Sequence, residues 1–407
     1  MLCQFTFWNY KTYRDEVTLN FIPARISEHT DRLLKEVKTS EEFLPLAVLY
    51  GPNGGGKSTV IESFRYLRAK VLDLRQQLVD SKKSDEESSR RPISFTFDDE
   101  YSDLPTGWSV SFITKGFEYK YTLSMVKNLI SSESLYTKEL STGEIEMLFE
   151  RDPESIKLGG EFDDILANKV NAELPLISFI SKLYQYQHAD YVTGWFKSIN
   201  VIDYSGSTGD RSILIPGVGD EKTAFFKLLN SMGIQIDDLF INEDSDGKIK
   251  DIFSVYRYKD KEYYVDYYQE SSGTMKVFSF LTRILKSLKD GCPIFIDELD
   301  AKLHPKLLEF IISLFTNPKV NVNGAQLIIT SHDLHTMNNK LLRRDEIWFA
   351  AKRDDFSSYL YSLSDFKKIS SKGKQPRSDE NYAKQYIEGR YGADPYFQRL
   401  ENWTVAT

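Results

Sequence analysis

Residues 51–58 read Gly-Pro-Asn-Gly-Gly-Gly-Lys-Ser and fit the pattern G-x-x-x-x-G-K-[ST] at every fixed position. The flanks match as well. Leu46 to Tyr50 is a short apolar run that reads as a buried parallel strand. Ser58 to Leu78 contains no Gly or Pro and carries apolar residues at Val60, Ile61, Phe64, Leu67, Val71, Leu74 and Leu78, a helical spacing. Strand, glycine loop and helix in this order make a phosphate cradle: glycines let successive backbone N–H groups turn inward, and the helix N-terminus adds positive potential. Lys57 then reaches the β/γ-phosphates and Ser58 can ligate Mg²⁺, while Gly51, Pro52, Asn53, Gly54, Gly55, Gly56 and Thr59 are expected to line the nucleotide. A glycine turn with a chance lysine would leave the flanks unexplained.

Composition narrows the setting. A chain of 407 residues with 41% hydrophobic content can bury a large core divided into two or three lobes. Its two cysteines, Cys3 and Cys292, lie far apart and offer neither a disulfide framework nor a zinc spacing, which suits a reducing cytoplasm. The N-terminus lacks the basic start and apolar core of a signal peptide. No apolar run approaches the roughly 20 residues that cross a bilayer. A soluble, cytoplasmic protein without membrane partners is expected. The formal charge of −8 argues against a surface that is basic throughout, so any nucleic-acid contact must be a local patch.

Further chemistry lies in the C-terminal half. Pro293-Ile-Phe-Ile-Asp-Glu298 is an apolar strand ending in two acids. In a phosphate-binding α/β fold the first, Asp297, would hold Mg²⁺, and the second, Glu298, would orient and deprotonate a water. Gln326-Leu-Ile-Ile-Thr330 is another buried-strand pattern, closed by Ser331-His332-Asp333, and a histidine at such a strand end suits a group that senses the γ-phosphate. Glu270-Ser-Ser-Gly-Thr-Met-Lys276 precedes a helix with apolar residues at Val277, Phe278, Phe280, Leu281, Ile284, Leu285 and Leu288. Such a turn binds anions at a helix start and serves equally as an N-cap.

These motifs, in this order, resemble ABC-type ATPases. Ser271-Ser272-Gly273-Thr274 with Lys276 departs from the transporter signature Leu-Ser-Gly-Gly-Gln and is closer to that of the SMC, RecF and OLD-related ATPases. Phe7-Trp-Asn-Tyr-Lys-Thr-Tyr-Arg14 resembles the opening strand pair of that class, and Phe295-Ile-Asp-Glu-Leu-Asp300, Leu303-His-Pro305 and Thr330-Ser-His-Asp333 match it too. Arg343-Arg-Asp-Glu-Ile-Trp-Phe349, Tyr361-Ser-Leu-Ser-Asp-Phe366 and Gly389-Arg-Tyr-Gly-Ala393 resemble a narrower group, the stand-alone AAA-family ATPases of bacterial anti-phage and abortive-infection systems of the RloA, AbiL and PARIS (AriA) type. The resemblance implies an α/β P-loop fold of ABC type, with a mixed sheet, an antiparallel β subdomain and an inserted helical lobe. It further implies ATP and Mg²⁺ as ligands, with Ser58 and Asp297 at the metal, Glu298, His332 and Lys57 catalytic, and Ser271, Ser272, Gly273 and Lys276 at the nucleotide. In that class the signature presses on the γ-phosphate held by another copy, so a homodimer or higher homo-oligomer with composite sites is implied. An effector such as a Toprim-type nuclease or toxin is the implied partner, and DNA or a phage protein the implied trigger.

The departures are informative. The stretch between Lys57 and Ser271 is too short for the heptad arms of SMC proteins, and the segment after His332 is too short for a Toprim domain. The chain alone is therefore not expected to be a nuclease, and a Q-loop glutamine is not assignable. Four segments are expected: 1–150, an ATPase lobe with the P-loop and antiparallel strands; 151–250, a mainly helical lobe; 251–352, a second ATPase lobe; and 353–407, a tail that contacts a partner. Trp108–Ile113 and Phe117–Leu123 read as a hairpin, and so does Val255–Tyr268. Leu176–Gln187 and Glu221–Met232 read as helices, with a loop at Ser205–Gly209 between them. Lys82, Lys83, Arg90 and Arg91 read as a solvated loop. Lys367, Lys368, Lys372, Lys374 and Arg377 read as a flexible tail, with contact to a phosphate backbone the alternative. A RecF-like DNA-repair ATPase is the competing functional class; a transporter motor fits poorly.

Overall fold

The computed structural model describes residues 1–72, 93–162, 170–202, 220–244, 249–366 and 380–393. The chain opens with β1 (Leu2–Trp8) and β2 (Val17–Asn20), then a small ribbon of β3 (Leu34–Lys35) and β4 (Glu42–Phe43). β5 (Leu46–Tyr50) leads through the glycine loop into α1 (Lys57–Val71). β6 (Thr106–Thr114), β7 (Phe117–Val126), β8 (Leu129–Glu139), β9 (Ile145–Arg151) and β10 (Ile156–Leu158) come after it. Next are α2 (Leu176–Leu183), α3 (Gln187–Ser198), β11 (Asn200–Ile202) and α4 (Asp220–Ser231). A ribbon of β12 (Asp238–Glu243), β13 (Ile249–Tyr258) and β14 (Lys261–Asp266) precedes α5 (Ser272–Asp290), β15 (Ile294–Ile296) and α6 (Pro305–Thr316). The chain ends with β16 (Leu327–Thr330), β17 (Ile347–Lys352), β18 (Ser358–Ser362) and α7 (Tyr382–Ile387).

Two sheets organise the molecule. One is antiparallel, in the order β10-β9-β8-β7-β6-β1-β2. The other runs β11-β15-β16-β5-β17-β18, parallel throughout except for the edge strand β18. Every residue of β5, β15 and β16 is buried, as expected of strands covered on both faces. The mixed α/β sheet with an antiparallel β subdomain agrees with the sequence expectation.

α1 lies between the two sheets. Its Phe64 stacks on Phe295 of β15 at 4.2 Å and meets Phe5 of β1 edge-on at 5.0 Å, so one side chain joins both layers. Further out on the same core, Trp195 of α3 stacks on Phe112 of β6 at 3.8 Å. The opposite face of the parallel sheet packs under α4 to α7 in a second core. Gln326, fully buried at the start of β16, clasps the sheets together. Its Oε1 accepts from Leu2 N at 2.6 Å, and its Nε2 donates to Leu2 O at 2.9 Å and Leu44 O at 3.1 Å.

The segment between 151 and 250, expected to be mainly helical, carries strands as well, and the helix expected over Leu176–Gln187 ends at Leu183. Leu176–Leu183 and Gln187–Ser198 are separate helices laid on the antiparallel sheet's core. Asn200-Val201-Ile202 joins the parallel sheet beside β15. The segment expected as a tail is partly core: β18 pairs with β17, Tyr386 stacks on Phe349 at 5.5 Å, and Tyr391 packs tilted against it at 5.4 Å. α1 ends at Val71. The expectations for Leu74, Leu78, residues 81–91, Ser205–Gly209 and the Lys367–Arg377 tract fall outside the described residues. Among the described residues no helix is long and apolar enough to cross a membrane.

Gln326→Ala would strand three buried backbone groups, at a cost of about 2–4 kcal/mol. Urea unfolding should show an earlier midpoint with an unchanged slope; a midpoint equal to wild type would contradict this role.

Candidate functional site

The sheet order decides where the chemistry can meet. β15, β16 and β5 are neighbours and parallel, so their carboxyl ends share one edge of the sheet. Ligands bind α/β sheets at this edge. Asp297 and Glu298 come directly after β15, Ser331 and His332 after β16, and the glycine loop after β5.

The loop requires glycine where it presses on its neighbours. Gly51 has φ +149°, and a Cβ there would stand 2.1 Å from Ala350 O of β17. Gly56 has φ +106°, and a Cβ would stand 2.8 Å from Ser358 Oγ and 2.9 Å from Tyr13 Cε2. Tyr13, from the N-terminal turn, also donates its hydroxyl to Gly56 O at 3.3 Å. Lys57 is buried and donates from Nζ to Gly51 O at 2.9 Å and Pro52 O at 3.0 Å. Burial lowers its pKa to about 8, opposed by the nearby Asp297, Asp300 and Glu298.

Asp297 is buried and collects donors. Ser58 Oγ donates to its Oδ1 at 3.1 Å and Thr330 Oγ1 at 2.5 Å. The same Thr330 hydroxyl accepts from Glu298 N at 2.7 Å. Glu298 itself is exposed and has φ +50°, the left-handed region, so the chain turns sharply while its carboxylate faces out. The turn continues through Asp300, whose Oδ2 accepts from His332 N at 2.9 Å. Burial, and next the Lys57 charge, hold the His332 imidazole below its usual pKa, so it is neutral near pH 7. The glycine loop, Asp297, Glu298 and His332 thus lie at the ends of three adjacent strands.

Thr330 is the residue that sequence reasoning missed. Its only signal is a hydroxyl at the end of an otherwise apolar, fully buried strand. Lys276 lies elsewhere than expected. Its buried Nζ donates to Glu298 O at 2.6 Å and Ala301 O at 2.7 Å, bracing the acidic turn from behind. The helix start itself is exposed: Ser271 caps α5, its Oγ accepting from Thr274 N at 3.1 Å, and Ser272 is the first helical residue. A Cβ on Gly273 would stand 3.0 Å from Lys302 O, so the helix start and the acidic turn are packed as one unit. His304-Pro305 is a helix start: His304 Nδ1 accepts from Lys306 N at 3.2 Å and proline takes the first turn. The Arg343-Arg-Asp-Glu346 motif is structural, with Arg343 buried and bidentate on Asp345 at 2.9 and 2.7 Å. Burial pushes Glu346 up to about 8.

The donors fit magnesium. Ser58 Oγ and the Asp297 carboxylate are hard oxygens, side by side below a phosphate cradle. Among the described residues no cluster of three His, Cys, Asp or Glu side chains could hold a metal ion by itself. A cation here would therefore complete its shell with phosphate and water oxygens, the usual habit of Mg²⁺.

Residues 46–338 match the protein family described as "AAA domain, putative AbiEii toxin, Type IV TA system". No curated protein matches the sequence. Two solved structures are similar at 13% identity and a TM-score of 0.43. One is an SMC head bound to the C-winged helix domain of ScpA, covering 90% of this chain and 99% of that one. The other is the SMC head domain from Thermotoga maritima, covering 89% and 98%.

With its pKa lowered to about 8, Lys57 sheds its proton in the free loop as pH passes through that value. An anionic phosphate against Nζ restores the charge. ATP binding should therefore take up a proton at pH 8.5 and weaken from pH 7 to 9. Calorimetry in two buffers of different ionisation enthalpy reads the uptake; identical heats would contradict it.

Proposed function

The chain belongs to this family of AAA-domain proteins, and we propose that it is a Mg²⁺-dependent ATPase that regulates a partner nuclease or toxin in an anti-phage, abortive-infection system. The observation that carries the ATPase reading is the meeting of the glycine loop, Asp297–Glu298 and Thr330–His332 at three adjacent strand ends. The loop N–H groups and Lys57 would hold the β- and γ-phosphates. Ser58 and Asp297 would hold Mg²⁺, whose charge offsets that of the phosphates.

Glu298 would act as the base. Its exposed carboxylate would accept a proton as a water oxygen attacks the γ-phosphorus, and the bridging oxygen would leave with ADP. Thr330 holds the backbone of this base and the carboxylate of Asp297 through one hydroxyl. His332, at the end of β16, would donate a hydrogen bond to the γ-phosphate. Ser271 and Ser272, exposed at the start of α5, with the half-buried Gly273, would close the site of a second copy, making hydrolysis depend on pairing. Because Lys276 and Gly273 pack against the turn that carries Glu298, closure on one side reaches the base on the other. ATP-driven pairing and release then form a switch. The defence setting is supported by the family description, which names a putative AbiEii toxin and a type IV TA system.

Glu298→Gln should bind ATP, turn over at least a hundredfold more slowly and accumulate as a pair in light scattering. Purified in ATP from its native host, that variant should carry a stoichiometric protein partner. DNA without protein would replace this reading with a RecF-like repair role, and monomers at saturating ATP would end the composite-site account.

A further inference from the structure

We propose that Phe97 and Phe356, with Lys352 beside them, form a shelf on which the base of the bound nucleoside triphosphate stacks. The inference rests on the ATPase reading and deepens it, by giving the site a means to recognise a nucleotide rather than a bare polyphosphate. β17 runs parallel to β5, so its carboxyl end and the turn after it lie at the same sheet edge as the glycine loop. The contact is direct, since Ala350 backs Gly51 and Ser358 backs Gly56. From Ala350 the strand continues two residues to Lys352, about 7 Å at roughly 3.3 Å per residue. There Lys352 Nζ lies 5.4 Å from the centre of the Phe97 ring. The Phe97 and Phe356 rings sit 5.2 Å apart with their planes 30° from parallel. Both are large apolar side chains left in water, 49% and 58% exposed.

The shelf is built rather than incidental. Phe356 has φ +62°, a conformation that bulky residues rarely adopt and that its surroundings must impose. The turn imposes it: Arg353 N donates to Ser357 O at 2.8 Å, and Phe356 N to Arg353 O at 3.1 Å. Two ion pairs pin that turn to the N-terminal one, Arg14 Nη1 to Asp355 Oδ2 at 2.7 Å and Arg353 Nη1 to Asp15 Oδ2 at 2.8 Å. Phe97 is carried on a segment held along residues 9–11 by Phe95 N to Asn9 Oδ1 at 2.9 Å and Thr96 N to Lys11 O at 3.1 Å. That same N-terminal turn sets Tyr13 under Gly56. Cradle and shelf therefore share one support. With Lys352 Nζ over Phe97 and the two rings leaning on each other, the ring face left open suits any flat heterocycle, so the shelf would hold the base without distinguishing it by hydrogen bonds.

The test compares MgATP with magnesium tripolyphosphate, which lacks base and sugar. The double variant Phe97→Ala with Phe356→Ala should bind ATP about tenfold more weakly and tripolyphosphate as wild type does. Separately, the indole emission of Phe356→Trp, taken as the difference from wild type, should change with ATP and stay constant with tripolyphosphate. Unchanged ATP affinity in the double variant, or equal weakening of both ligands, would overturn the shelf while leaving the phosphate cradle in place. Failure of the wild-type chain to bind either ligand would overturn the ATPase reading together with it.

Discussion

One hydroxyl group sets the alignment on which the site depends. Thr330 ends β16 buried, and its single proton goes to Asp297 while its lone pair takes the N–H of Glu298. The Asp297 oxygen that receives that proton also receives Ser58 from the glycine loop. Three chain segments distant in sequence are thus tied through two oxygen atoms, away from competing water. Buried polar groups that lose a partner pay the full desolvation penalty, which makes such a node demanding of geometry. The geometry comes from strand register. Ile296 opposes Ile329, and Thr330 opposes Leu49. A slip of one residue would turn the hydroxyl to the other face of the sheet.

The rest of the fold holds that register still. Phe64 fills the space between the sheets, Gln326 fastens β1 to the start of β16, and Ala350 and Tyr13 press on the glycine loop from the side away from Asp297. A site on rigid strand ends with short, glycine-dependent turns keeps its donors fixed while phosphate comes and goes. Glu298, His332 and the start of α5 all reach solvent beside it.

How much of this the sequence discloses depends on how local each signal is. The glycine loop is legible because cradle, lysine and flanking periodicities are contiguous. Asp297 and Glu298 are legible because they end an apolar run, and the hairpins of β6–β7 and β13–β14 because alternation persists through them. Thr330 is not, since a threonine ending a strand looks like any β-branched residue until β15 is laid beside it. β11 has three residues, too few for a period, and β18 with Tyr386 and Tyr391 is recognisable as core only once Phe349 is in place. Lys276 sits within a motif that suggests a nucleotide contact, and the path of its long side chain toward the Glu298 and Ala301 carbonyls is a tertiary fact.

The Thr330 hydroxyl joins Asp297 and Glu298, the acids proposed to hold the metal and orient water, into one unit. Phosphate release by Thr330→Val and Thr330→Ser, measured at saturating ATP beside the ATP affinity of each, tests it directly. Valine keeps the shape and removes the hydroxyl, so turnover should fall at least tenfold, about 1.4 kcal/mol or more, with ATP affinity within about threefold. Serine should restore most of the rate. Wild-type turnover in the valine variant would contradict the account.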